Sequence, residues 1–226
     1  MRKSTCTGLL VICLFITAIA MAKNPVTAQY PDKIIYEGTA YDLNSNPLEP
    51  YFDKHPEKKP PMSSTALWRG YVAYFEIIDG ELFVTDMKRP VGYEDEDGSY
   101  KQKWISIYHT IFPPLEKVKI DWYSGILILP HGKLIDYVHM GYASTYSKYW
   151  LLEIEKGNFN EARKYKYKQY VKFKQRQFEA FRKTDAYKKL YTELKETEGV
   201  DGNDDEFLRS FISNFVINYT SKFLTD

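Results

Sequence analysis

Apolar positions along this chain recur with a period of two from about residue 34 to 157, and with a period near 3.6 beyond about residue 160. The period-two half is clearest from Thr65 to Met87. There, two runs rich in β-branched and aromatic residues, Tyr71–Ile78 and Glu81–Met87, flank Asp79-Gly80. Asp-Gly supplies two left-handed positions, so the spacing predicts a two-residue type I′ hairpin. Such a turn places Ile78 opposite Glu81, Ile77 opposite Leu82 and Phe75 opposite Val84. Ala73, Phe75, Ile77, Leu82 and Val84 then share one face, with Tyr74, Glu76, Glu81, Phe83 and Thr85 on the other.

Upstream, Ile34–Leu43 reads as a smaller hairpin turning at Glu37-Gly38. Asn46-Pro47-Leu48-Glu49 reads as the start of a short helix, with asparagine as the cap. His55–Ser64 holds three prolines and is a loop. Lys88–Lys103 is polar, a surface loop or ragged hairpin tip, and Trp104–Phe112 fits strand or helix equally. Val118–Leu129 is expected to form a second hairpin at Ser124-Gly125, with Val118, Ile120, Trp122, Leu127 and Leu129 on one face. Pro130-His131-Gly132 reads as a turn, Lys133–His139 and Trp150–Ile154 as strands, and Gly157-Asn158 as the end of the sheet. The fold class that results is α+β: an antiparallel sheet, strongly bent or barrel-like, followed by a helical C-terminal region. In the tail, Tyr167, Tyr170, Val171, Lys174, Phe178 and Phe181 form one helical stripe. The stripe changes face after Thr184-Asp185, where a cap predicts a break. A last helix is expected after Asn203-Asp204-Asp205-Glu206, with Phe207, Leu208, Phe211, Ile212, Phe215, Tyr219 and Phe223 on one side.

The motifs Asn46-Pro47-Leu48-Glu49-x-Tyr51-Phe52, Thr65-Ala66-Leu67-Trp68-Arg69-Gly70-Tyr71-Val72-Ala73 and Trp122-Tyr123-Ser124-Gly125 together resemble an uncharacterised family of bacterial proteins. The resemblance spans about residues 34–157. That family has no assigned activity, so the resemblance implies no catalytic residue.

The N-terminus changes the picture of where the protein works. Met1-Arg2-Lys3 is basic, and Leu9–Ala20 is an uncharged apolar run of twelve residues. That is short of the roughly 20 needed to span a bilayer. Small-residue sites follow at Ala20-Met21-Ala22 and Val26-Thr27-Ala28, which completes a secretory signal pattern. The expected organisation is a signal peptide and short linker over 1–28, an antiparallel β domain over 29–157, and a helical region over 158–226. The expected location is periplasmic or secreted, with an uncleaved anchor as the lesser alternative. Cys6 and Cys13 are the only cysteines and both lie in the leader, so the exported chain is cysteine-free. Disulfides, thiolate chemistry and cysteine-ligated metals are thereby excluded from it.

Charge and motif content restrict the function. Without the leader and linker there remain 28 basic residues against 30 acidic, a balance that argues against nucleic acid as partner. The balance is uneven, since residues 160–195 hold twelve Lys or Arg against four acids. A basic face interleaved with aromatics suits an anionic surface, or packing against the acidic remainder. His55, His109, His131 and His139 have no metal-ligand spacing, and strand alternation separates Asp136 from His139. Asp201-Gly202-Asn203-Asp204-Asp205 fails the calcium-loop template, with Glu206 where glycine belongs and Ile212 where glutamate belongs. No nucleophile elbow, phosphate loop or zinc-protease helix occurs, so neither metal nor cofactor is expected. Trp68, Arg69 and Tyr71 form the most suggestive cluster, able to hold a carboxylate, phosphate or sugar, or else a structural arginine pinning the loop. The expectation is an exported, non-enzymatic binding or interaction protein with an envelope protein or anionic surface as partner. The alternatives are an envelope hydrolase of carbohydrate or peptide using Asp121, Asp136 or His139, and a membrane-surface protein attached through the basic helix.

Overall fold

The computed structural model describes residues 27–112, 116–198 and 205–226, the side chains of 197 and 198 excepted. The leader, Pro113-Pro114 and most of the Asp201–Asp205 loop lie outside the described residues. Nine strands form one sheet: β1 Asp32–Tyr36, β2 Thr39–Leu43, β3 Val72–Ile78, β4 Glu81–Glu94, β5 Tyr100–Ser106, β6 Val118–Lys119, β7 Gly125–Asp136, β8 Thr145–Glu155 and β9 Asn158–Lys166. Among the described residues six α-helices accompany them: α1 Glu49–Lys54, α2 Tyr108–Ile111, α3 Tyr167–Phe181, α4 Asp185–Glu198, α5 Asp205–Asn214 and α6 Val216–Tyr219.

The central hairpin has the register the turn dictates. Phe75, Ile77 and Ile78 pair with Val84, Leu82 and Glu81. Asp79 and Gly80 sit at φ 52° and 77°, the pair of left-handed positions that lets right-twisted strands meet. Glu37 and Gly38 turn the β1–β2 hairpin in the same way, at φ 50° and 70°.

The α+β class holds, but the sheet is mixed and open. The strand order is β2-β1-β3-β4-β9-β8-β7, with β5 and β6 also on β4. β1 and β3 are parallel, Ile34 lying beside Phe75. Alternation looks the same in parallel and antiparallel strands, so only the long connection through α1 carries that information. The two ends of the sheet curl toward each other without forming a ladder. Asn44 N donates to Ile128 O at 2.9 Å, and Ile128 N donates to the buried Ser45 Oγ at 3.1 Å. Pro130 in β7 has no N–H to give, which suits an edge strand and works against closure.

Inside the curl lies a core of Ile34, Leu43, Phe52, Tyr71, Phe75, Leu82, Val84, Met87, Ile120, Leu127, Leu129, Leu152 and Ile154. Strands β7 and β8 are covered on both faces. Their other side, with Ile126, Ile128, Tyr149 and Leu151, meets a second core from α3 to α6. Two-sided burial explains the unbroken apolar run Ile126-Leu127-Ile128-Leu129.

Several sequence expectations are corrected. Val118–Leu129 is no hairpin: β6 pairs with β4, β7 pairs with β8, and Ile120 N donates to Leu82 O at 3.0 Å. The predicted face survives because both segments line the same core. Pro130-His131-Gly132 is inside β7 and not a turn. Of the two readings of Lys88–Lys103 the hairpin holds and the loop does not, since Lys88–Glu94 and Tyr100–Ser106 form a long ladder, and Trp104 is on its second strand before α2. The sheet continues past Gly157, because Lys156 and Gly157, at φ 48° and 73°, turn the chain into β9. The helical region therefore starts at Tyr167, not Asn160; β9 reads as helix in sequence because Glu, Ala, Arg and Lys are good helix formers. The cap of α1 is Leu48, without a side-chain bond, not Asn46. The break at Thr184 is present, with Tyr187 N donating to Thr184 Oγ1 at 3.2 Å. The last helix is interrupted at Phe215, so Val216 and Ile217 face inward while Phe207 and Phe215 are exposed.

Candidate functional site

Of the three site residues suggested by sequence, two are committed to an internal network. Gly70, at φ 76°, has the Pro61 carbonyl 2.1 Å from where a Cβ would stand. The loop before β3 therefore folds flat onto the strand entrance and carries Arg69 inward. Its Nη1 donates to Asp32 Oδ2 at 2.5 Å and its Nη2 to the Tyr30 carbonyl at 2.9 Å. Asp32, fully buried in β1, also accepts from Ala73 N at 2.8 Å. The Tyr71 hydroxyl donates to Glu49 at 2.8 Å, and Glu49 also holds Lys59 at 2.6 Å. Burial pushes the Asp32 carboxyl up, opposed by Arg69 and the Ala73 N–H. Burial acts most strongly, to lower Arg69, but Asp32, Tyr142 and Tyr71 together raise it, and the guanidinium stays charged. With donors on both carboxylate oxygens, the ionised pair is the state the geometry supports. Trp68 is half-buried, and its backbone N–H donates to Gln29 Oε1 at 3.3 Å. The cluster is a clasp that locks the chain before β1 to the Pro-rich loop and α1.

The hydrolase residues are not brought together. Asp121 is exposed in the connection before β7, and Asp136 is exposed at the end of β7. His139 faces solvent, with its Nδ1 2.9 Å from the Tyr137 hydroxyl. No group of three potential metal ligands occurs among the described residues.

A cleft of about 720 Å³ opens elsewhere, where the β1–β2 hairpin approaches β7. Its lining includes Tyr41, Tyr74, Pro130, His131 and Tyr146. Its charged groups are paired: Lys33 with Asp42, and Asp86 with Lys88 at 3.4 Å and with the Ser106 hydroxyl at 2.6 Å. Tyr41 and His131 meet edge to face at 5.5 Å between ring centres. Burial lowers the His131 pKa, and Lys164 and Lys148 lower it further against the Leu129 carbonyl. The imidazole is thus neutral at neutral pH and polar at both ring nitrogens.

No family model, curated protein or solved structure matches this chain. The cleft must therefore be read from its own chemistry. It joins three tyrosines, a neutral imidazole and satisfied ion pairs, the mixture of apolar wall and few convergent polar groups that ligand sites use. Sequence reasoning treated His131 as a turn residue and missed it. The signal available was its parity with Leu127 and Leu129, which puts it on the inner face of a longer β7.

Proposed function

We propose that this is an exported binding protein, non-enzymatic, whose ligand enters the cleft between the β1–β2 hairpin and β7. The observation that carries the reading is the cleft itself, formed where the two ends of an open sheet meet and walled by Tyr41, Tyr74, Tyr146 and His131. An open, aromatic-lined recess with its carboxylates already paired suits recognition of an envelope component better than acid–base chemistry. Export rests on the basic start and the twelve-residue apolar run, both outside the described residues. The resemblance read from the sequence motifs, to uncharacterised bacterial proteins, implies no activity and adds none to this reading.

The test is a screen of glycan and peptide fragments by thermal shift and calorimetry. A ligand that binds the wild type and loses about tenfold or more in Tyr41→Ala, the range for truncating a central aromatic contact, supports the cleft. Turnover of a glycan or peptide that Asp136→Asn abolishes without unfolding would establish the hydrolase instead. The membrane-surface alternative draws on the exposed Lys168, Lys172 and Arg176 of α3. Vesicle binding that falls steeply with salt and is lost in Lys168→Gln/Lys172→Gln would favour it.

A further inference from the structure

Three lysines project from one patch of the inner sheet face. Trp150 and Leu152 pack on the inner core together with Ala162, the partner of Leu152 in β9. By alternation Lys148, Lys164 and Lys166 lie on that same face, with Lys148 directly opposite Lys166 and Lys164 opposite Trp150. Like charges facing each other across a ladder are destabilising, so this arrangement works against the fold. None of the three has a carboxylate within ion-pair distance among the described residues. All three are exposed. Lys164 lies over the Trp150 ring at 4.9 Å, which orients its ammonium without neutralising it.

The surroundings add an aromatic wall. Tyr36 meets Trp150 at 5.6 Å and Phe159 at 6.0 Å between ring centres. His131 links the patch to the cleft, since it faces Lys148 across the β7–β8 ladder. Glu37, in the β1–β2 turn, acts on the Tyr36 hydroxyl. Asp42 and Asp86 of the cleft are held by Lys33 and Lys88. The edge of β9 that carries Lys164 and Lys166 has no strand beyond Asn158 on the side away from β8 among the described residues, so the lysines are open to approach.

We propose that the lysine patch of β8 and β9, beside the cleft, takes a multiply charged anion, its negative groups held by Lys148, Lys164 and Lys166 and its apolar part set against Trp150 and, at the border with the cleft, His131 and Tyr41. This deepens the binding reading above and rests on it. Directly paired strand residues stand about 4.5–5.5 Å apart at Cβ, and alternate residues on one strand about 6.6 Å. Three ammoniums at that spacing serve two linked phosphates, or two carboxylates on neighbouring sugar units. A single monoanion leaves most of the repulsion in place.

Calorimetry at low salt on the full exported chain would use three probes: pyrophosphate, a galacturonate trimer and a neutral trisaccharide. Saturable, salt-sensitive binding of pyrophosphate or the galacturonate trimer is expected, and which of the two binds tells phosphate from carboxylate recognition. Lys164→Gln and Lys166→Gln should each weaken it by about tenfold or more, the loss expected for a hydrogen bond to a charged group. Lys172→Gln, on the exposed face of α3, should leave it unchanged. Lys166→Gln should also raise the low-salt melting temperature, because it removes the cross-strand repulsion. Equal loss in Lys172→Gln, or no binding of either anion, overturns the inference. Binding of the neutral trisaccharide that Tyr41→Ala weakens and Lys166→Gln does not would overturn the anion inference while leaving the cleft as the ligand site.

Discussion

A single buried ion pair decides how the first third of the chain is assembled. Asp32 is fully buried and Arg69 is 8% exposed, so neither charge has water to fall back on. Arg69→Met leaves a buried carboxylate without its cation, and the expected loss is about 3–5 kcal/mol, the cost of breaking such a pair from one side. Arg69→Met/Asp32→Asn should recover part of that loss. Urea unfolding of the three proteins checks it, and a midpoint unchanged in Arg69→Met would show that the clasp contributes nothing. The sequence made Trp68-Arg69-Gly70-Tyr71 conspicuous and offered two readings of it. What it could not show was the partner, because Asp32 and Arg69 meet only when β1 and β3 run parallel side by side.

At the scale of elements, α3 is the one that makes the tail part of the molecule. It packs through Tyr170, Phe173, Phe178 and Phe181 onto the outer face of β7 and β8. Tyr149 and Tyr170 stack with ring centres 4.0 Å apart. Lys168, Lys172 and Arg176 are exposed, whereas Lys174 is half-buried over the Tyr170 ring and donates to the Asn214 carbonyl at 3.4 Å. The ion pairs of the tail are local, such as Arg182 with Glu179 and Lys188 with Asp185, and do not reach an acidic sheet face. The buried Gln177 ties down the C-terminal segment, donating to the Lys222 carbonyl at 2.8 Å and accepting from Leu224 N at 2.9 Å. Phe173→Ala removes a fully buried ring at the centre of this contact. It is expected to cost about 3–5 kcal/mol, read from denaturant midpoints, with binding of a hydrophobic dye as the β7–β8 outer face becomes accessible. A variant as stable as the wild type would mean that the helices are not an integral second core. The helical period of α3 was plain in the sequence from Tyr167 onward, and its break at Thr184 likewise. The face it covers was not, since a stripe says that something is buried and never against what.

Across the whole molecule, the twenty tyrosines make alkaline stability the most distinctive bulk property. Burial raises the phenols of Tyr71, Tyr123, Tyr142, Tyr170 and Tyr219 above the ordinary value of 10.0, with Glu49 adding to the effect on Tyr71. A raised native pKa means that the folded state keeps protons which the unfolded chain releases near pH 10. Their contribution is fully present below pH 10 and is lost as pH rises above it. The phenolate absorbance should therefore titrate in two stages. The buried set ionises in the later stage, together with the loss of the native circular dichroism. One smooth titration of all twenty with native structure retained would contradict the burial described here.

The sequence by itself determined the local structure: the Asp79-Gly80 and Glu37-Gly38 turns, the register they impose, the inward face of Ala73, Phe75, Leu82 and Val84, and the helical break at Thr184. Each of these rests on interactions within a few residues, where backbone sterics and side-chain periodicity leave little choice. Tertiary structure alone decided that β1 and β3 run parallel, that Ile120 follows β4 instead of turning back on Leu127, and that Asn158–Lys166 is a strand. It also decided that Arg69 serves Asp32 while His131 reaches the cleft. Those outcomes depend on which distant segments share a core, and a pattern of alternation is satisfied equally well by many partners.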